Sequence, residues 1–289
     1  MHILRRGCVP GAAGSSSKAP PGLVVDVGAN VGYFSMLSAS YGCRVTAFEP
    51  QHAPRLMATG SMLLNRFNDR VTILPYGLSA AAGSGTVHDQ VGSWGLTPVT
   101  DASGAHGTQH ATAAGGGGGG GGGWLGRLFG WRPAAAAAKE RHVAGSSNGD
   151  SSNGGSSSGG RPIQLMPLSA LVKEDVLLLK IDTEGYEAHV LAGAGELLTR
   201  HTVHNVVIEV KGYNDLPKRE MLYKLATAAG LKYVYNYEEE YLARVPADEA
   251  VDVAAHVTDV SQVVLGRQHS KKLRHEDFWL TREPLNLGA

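Results

Sequence analysis

Short apolar blocks alternate along this chain with longer segments whose apolar residues recur at helical spacing. Residues 23–27 form an apolar run broken only by Asp26, and Gly-Ala-Asn-Val-Gly follows at 28–32. That pattern predicts a buried strand running into a glycine turn. Helical spacing takes over at 33–41, where Phe34, Leu37 and Tyr41 share a face. Residues 43–48 read as a second strand, stopped by Glu49-Pro50. Residues 54–67 read as a helix carrying Leu56, Met57, Leu63, Leu64 and Phe67, and 71–74 as a third strand. The most strand-like run is 176–181, followed by Asp182-Thr183-Glu184-Gly185. A helix over 186–198 would turn Val190, Leu191, Ala194, Leu197 and Leu198 inward and leave His189 facing solvent. A β-branched strand at 203–210 ends in Glu209-Val210-Lys211, and a helix at 217–229 stops at Gly230. Residues 231–237 and 278–281 complete the strands. Strands alternating with helices predict βαβ units and a doubly wound, mostly parallel α/β sheet.

One stretch has neither period. Residues 101–161 hold a glycine run at 115–123, an alanine run at 134–138 and a Ser/Asn/Gly tract at 145–160. About half of the chain's 39 glycines fall there. Such a composition cannot offset the entropy of ordering, so a disordered insert is expected. An island at 124–131, with Trp124, Leu125, Leu128, Phe129 and Trp131, interrupts it. Closure entropy grows slowly with loop length, so the insert need not divide the fold. The first 21 residues are small and polar, with Arg5, Arg6 and Lys18 and no acid. A disordered terminus is expected there, with a faint likeness to an organelle transit peptide.

Composition narrows the function classes. The chain has 289 residues, 43% of them apolar, which allows a sizeable core. Lys plus Arg and Asp plus Glu both number 26, so the formal charge is zero. Nucleic acid is therefore not an expected partner. No apolar run approaches the length of a spanning helix, so a soluble cytoplasmic or organellar protein is expected. Cys8 and Cys43 cannot build a disulfide framework, and Cys43 reads as a small buried hydrophobe.

Candidate chemistry collects where strands end, since ligands in such sheets lie outside the carboxyl ends of the strands. Asp26, Gly28, Asn30 and Gly32 make an acid-led glycine turn. Glu49 ends the next strand, 23 residues on, where an acid can accept both hydroxyls of a ribose. The turn departs from the dinucleotide fingerprint G-x-G-x-x-G. An acid in its first place suits an ammonium better than a pyrophosphate, which favours S-adenosylmethionine (SAM). Asp182 follows the strand expected beside the first and is the first choice as base for an acceptor hydroxyl. Lys180 and Glu184 alternate with it and are expected on the opposite face, where they could pair. Glu209 ends the next strand and could hold the substrate. Asp182, Glu184 and Glu209 offer oxygen ligands of the kind divalent cations take, but with no histidine placed to help, no metal is expected.

The blocks Val25-Asp26-Val27-Gly28-Ala29-Asn30-Val31-Gly32-Tyr33-Phe34-Ser35 and Ala47-Phe48-Glu49-Pro50 resemble the FkbM family of SAM-dependent methyltransferases. So do Leu179-Lys180-Ile181-Asp182-Thr183-Glu184-Gly185-Tyr186-Glu187 and Val207-Ile208-Glu209-Val210. The resemblance covers roughly 22–98 and 162–237. It implies a Rossmann-like sheet of seven strands with an antiparallel last strand. It also implies O-methylation of a small-molecule or carbohydrate hydroxyl. Where the family commonly has Asn-x-Ala-Leu-Ser-Asp, this chain has Pro75-Tyr76-Gly77-Leu78-Ser79-Ala80. The expected organisation is a disordered segment at 1–21, a SAM-binding half at 22–100, the insert at 101–161 and a catalytic half at 162–289. Two other readings compete: a NAD(P)-dependent oxidoreductase, and an inactive SAM-fold protein that docks through the 124–131 island.

Overall fold

The computed structural model describes residues 2–8, 21–87, 99–101, 160–210, 216–236, 258–259 and 277–283. The insert expected at 101–161 lies almost wholly outside them, as do its island and residues 9–20.

A short helix α1 (His2–Cys8) precedes the first strand β1 (Leu23–Val27). Then come α2 (Tyr33–Ser40), β2 (Arg44–Phe48), α3 (His52–Leu64) and β3 (Val71–Leu74). Four short elements follow: β4 (Tyr76–Leu78), β5 (Gly83–Val87), β6 (Val99–Asp101) and β7 (Arg161–Met166). The second half runs α4 (Leu168–Leu171), β8 (Leu178–Ile181), α5 (Glu187–Gly193), α6 (Gly195–Arg200) and β9 (Asn205–Glu209). It ends with α7 (Leu216–Ala229), β10 (Tyr233–Asn236), β11 (Thr258–Asp259) and β12 (Asp277–Thr281).

The main sheet has the order β11-β10-β12-β9-β8-β1-β2-β3. Strands β3, β2, β1, β8 and β9 run parallel, and β12 is antiparallel to both β9 and β10. The expected antiparallel last strand is thus present. The count differs from the expected seven: among the described residues the main sheet has eight strands, because β11 adds two residues along β10. Periodicity cannot register a pair that short.

A second, four-stranded sheet, β4-β7-β5-β6, was not anticipated. Its strands are short, two of them contain glycine, and they straddle the insert, which hides their alternation. Strands β6 and β7 flank the insert in sequence and lie on either side of β5. The strands that border the expected insert therefore belong to one small sheet.

Every residue of β1 is buried, because helices cover both faces of the sheet. Leu23, Val25 and Val27 pack with Leu179, Ile181 and Ile208 in the larger core. Val24 and Leu178 point to the other face, with Ala39, Val45, Leu4 and Cys8. The disordered start expected for 1–21 is corrected at its beginning. Residues 2–8 are helical because Leu4 and Cys8 pack into this second core, and Cys8 is disulfide-bonded to Cys43. Cys43 is buried as expected.

Two helices depart from the expected pattern. The one expected over 186–198 breaks at Ala194, between two glycines that lower helix propensity. His189 is buried rather than solvent-facing, and its ring stacks on Tyr186 at 3.9 Å. It lies on a helix that contacts β4 of the second sheet, with Ser79 Oγ 3.3 Å from the Tyr186 hydroxyl. In α3 the residues that sank into the sheet are Pro54 and Ala58, while Leu56, Met57, Leu63 and Leu64 are exposed.

Candidate active site

The carboxyl ends of β1, β2, β8 and β9 lie side by side and carry every candidate residue. The 26–32 turn rises from β1 with left-handed backbone at Gly28 (φ 75°), Asn30 (φ 51°) and Gly32 (φ 84°). Glycine and asparagine tolerate that region best. At Gly28 space matters as much as angle. A Cβ there would lie 1.8 Å from the Asp182 carbonyl oxygen, so only glycine lets the turn approach the end of β8.

Glu49 sits just past β2 and is buried. Its Oε2 accepts the Asn30 N–H at 2.8 Å and its Oε1 accepts the Gln51 N–H at 2.8 Å. The carboxylate therefore clamps the turn to the end of β2. Burial raises its pKa above the ordinary 4.5, against the pull of the Gln51 and Asn30 amides and of the Lys180 and Arg55 charges. Asn30 keeps a further function available: its Oδ1 is buried without a hydrogen-bond partner. Buried acceptors are rarely left so, which makes this atom a natural partner for a ligand's N–H or O–H. Nor does any side chain cap the N-terminus of α2, whose N-cap is Gly32.

Asp26 has another setting from the one its place in the motif suggested. Its side chain is wholly buried beneath the turn. Oδ2 accepts the Ser35 hydroxyl at 2.6 Å, and Oδ1 faces Lys180 Nζ at 3.3 Å. The register explains the pair. Asp26 and Lys180 are direct partners across β1 and β8, on the face that Val24 and Leu178 share. Lys180 Nζ also donates to the Gly28 carbonyl at 2.9 Å and lies 3.4 Å from Asp182 Oδ2. Burial alone would lower the Lys180 pKa; Asp26, then Asp182, by charge and hydrogen bonding, raise it above 10.5. The expected Lys180–Glu184 pairing is thus replaced by Lys180 with Asp26 and Asp182. Strict alternation ends at Asp182, where the chain leaves the strand and swings its carboxylate back over Lys180.

The 183–186 segment is held by a residue that the sequence reading passed over. Glu187 is buried, and its Oε1 accepts the Thr183 N–H and hydroxyl, both at 3.1 Å, and the Gly185 N–H at 2.9 Å. The acid in the first turn of α5 was the available signal. The loop so formed places Glu184 in left-handed backbone (φ 56°) and brings it to the other acids. Carboxylate oxygens of Asp182, Glu184 and Glu209 lie within 4.8 Å of one another, all on partly exposed side chains. Three such acids can accept hydrogen bonds from hydroxyls, or supply part of the oxygen shell of a divalent cation.

A mostly parallel, doubly wound sheet with an acid-led turn on β1 and an acid ending β2 defines a Rossmann-like α/β domain. The family model described as the methyltransferase FkbM domain matches residues 26–235. The chain belongs to this FkbM methyltransferase family. Among solved structures, a methyltransferase FkbM from Methylobacillus flagellatus KT is similar at 13% identity and a TM-score of 0.35, over 65% of this chain and 32% of that one. This chain therefore spans about a third of that protein's length. A search of curated proteins finds no match. Among the described residues, no helix is long and apolar enough to cross a membrane.

Proposed function

We propose that the protein is a SAM-dependent O-methyltransferase acting on a hydroxyl of a small molecule or sugar. The observation that carries the reading is the buried, unpartnered Oδ1 of Asn30 beside the Glu49 carboxylate. Together they present acceptors and no phosphate-binding cation, which suits a ligand bearing an ammonium and a ribose. The uncapped N–H groups of α2 suit its carboxylate. Asn30, Gly32 and Glu49 would hold SAM, while Asp26 acts from below by fixing Ser35 and Lys180.

Bound SAM supplies an electrophilic methyl group on sulfur. The acceptor oxygen must then lie in line behind that methyl, and such positioning lowers a barrier by up to roughly 7–11 kcal/mol. Asp182 takes the acceptor's proton. Lys180, 3.4 Å away, fixes the Asp182 carboxylate on the cofactor side of the loop. Glu184 and Glu209 accept neighbouring hydroxyls of the acceptor. A polyhydroxylated acceptor matches three clustered carboxylates better than an apolar one does.

Calorimetric titration with SAM and, separately, with NAD tests the cofactor. SAM should bind and NAD should not. Asn30→Gly keeps the left-handed backbone but deletes the acceptor, and should weaken SAM roughly tenfold, by about 1.5 kcal/mol. Tight NAD binding, or SAM affinity unchanged in that variant, overturns the reading.

Glu49→Gln should cost more. An amide can accept from only one of the two backbone N–H donors and turns its own NH₂ toward the other. About 1.5–3 kcal/mol of SAM affinity should go, read by the same titration. The raised pKa adds a pH signature. The folded chain holds the Glu49 proton more tightly than the unfolded chain. Its contribution to stability is therefore full below pH 4.5 and is lost as pH rises through the raised value. The ionised, hydroxyl-accepting form appears over the same interval, so SAM affinity should rise across it in wild type and stay flat in Glu49→Gln.

A further inference from the structure

One acid of the loop after β8 is held in place from outside the loop. Glu184 has left-handed backbone (φ 56°), and Gly185 follows it at φ 100°. A side chain in that region meets a steric cost that its surroundings must offset. The support comes from α5. Glu187 is buried, and its Oε1 accepts the Thr183 N–H and hydroxyl at 3.1 Å and the Gly185 N–H at 2.9 Å. One oxygen thus grips the amides on either side of Glu184. Helix α5 is itself fixed at both ends. The Tyr186 hydroxyl lies 3.3 Å from Ser79 Oγ just before the helix, and Gly193 at its end packs so closely on the Ser79 carbonyl that a Cβ would not fit. The Ser79 N–H in turn donates to the Met166 carbonyl of β7 at 2.9 Å. The grip on the loop therefore runs back to the second sheet.

We propose that Glu187 is a positioning residue for acceptor binding: it acts through Glu184, whose carboxylate it keeps among those of Asp182 and Glu209. Its functional meaning rests on the reading of these three acids as the groups that meet the acceptor's hydroxyls. Their carboxylate oxygens lie within 4.8 Å of one another only while the loop holds its left-handed turn. Asp182 has a second anchor in Lys180, 3.4 Å away, and Glu209 ends a strand of the main sheet. Glu184 is the member placed by the loop alone. Released from Glu187, it relaxes toward ordinary right-handed backbone, which redirects its side chain and opens the cluster. The reach of Glu187 decides this, and its charge does not. An amide of the same length grips the same two N–H groups, whereas a carboxylate one methylene shorter falls short of them.

Calorimetric titration of the full chain with terbium chloride tests the grip. Terbium serves as a probe: a hard cation takes oxygen ligands and so reports whether the three carboxylates stay together. Glu187→Asp keeps the charge and loses the reach. It should weaken terbium binding roughly 10- to 100-fold, the usual effect of losing a group that orients a ligand. Glu187→Gln loses the charge and keeps the reach, and should bind terbium within about twofold of wild type. Glu184→Gln should fall as far as Glu187→Asp. Combining the two should cost nothing more, since one residue acts through the other. Melting temperatures of the same samples separate this from an effect on stability alone. A destabilised Glu187→Asp with terbium affinity unchanged overturns the proposal, and so does an equal loss in Glu187→Gln. Additive losses in the double variant, or a wild type that binds no tighter than Glu184→Gln, overturn it too. Terbium binding needs neither SAM nor an acceptor. A chain that responds as expected here but does not bind SAM therefore counts against the proposed cofactor, and not against the positioning of Glu184.

Discussion

Asp182→Asn should slow methyl transfer by about 10²–10⁴-fold, the usual contribution of a positioned general base, while leaving folding and SAM binding nearly intact. Asparagine keeps the shape, and its carbonyl can still accept from Lys180 Nζ, which lies 3.4 Å from the present carboxylate. What it cannot do is take a proton. An acid at this place could instead cap the helix that follows. The geometry assigns that work elsewhere, because Glu187 takes the Thr183 and Gly185 amides. The variant should therefore unfold within about 0.5 kcal/mol of wild type, the ordinary range for a partly exposed substitution. Single-turnover kinetics and urea unfolding on the same preparation decide. Normal turnover per folded molecule moves the base to another acid, with Glu209 the next to test.

Lys180→Met should have the largest effect on stability. It strands the fully buried Asp26 carboxylate, whose Oδ1 faces the lysine at 3.3 Å. Removing one partner of a buried pair costs about 3–5 kcal/mol. Asp26→Asn on the Lys180→Met background should recover part of that loss, because asparagine can still accept from Ser35 without a charge to compensate. Equal losses in single and double variants would show that the pair is not coupled. The pH dependence has a definite sign. The folded-state pKa of Lys180 is raised, so its contribution is full below pH 10.5 and is lost as pH climbs through the higher folded value. Alkaline unfolding of wild type should show this limb, and Lys180→Met should lack it.

The sheet was legible because buried strands leave continuous apolar runs and each ends in a polar block. Those blocks placed Asp26, Glu49, Asp182 and Glu209 at one edge, and the parallel order of β2, β1, β8 and β9 brings them there. Partners were harder to read. Lys180 seemed free to meet Glu184 because both alternate with Asp182. Its true partner follows from the register between β1 and β8, which no local pattern encodes. The same holds for His189. Its helical position gave a solvent-facing side, yet it is buried against Tyr186 on a helix that contacts β4 of the unanticipated second sheet. Helix α3 shows another limit. The sequence marked its large apolar residues without assigning them a face, and the side that meets the sheet is built of Pro54 and Ala58. Small residues carry little hydrophobic signal but allow close packing.

The seam between β1 and β8 joins parts of the chain that are synthesised far apart: Lys180 bonds to Gly28 across 152 residues. Closing a loop of that size is an entropic cost that local structure does not repay in advance. Long-range parallel pairing of this kind slows folding. The lysine that neutralises Asp26 and the acid proposed as base, just past the end of β8, arrive in the same closure. The proposed cofactor and catalytic residues therefore come together in one step. A ribosome-bound chain that has emerged only through β3 holds the glycine turn but lacks the ammonium beneath it.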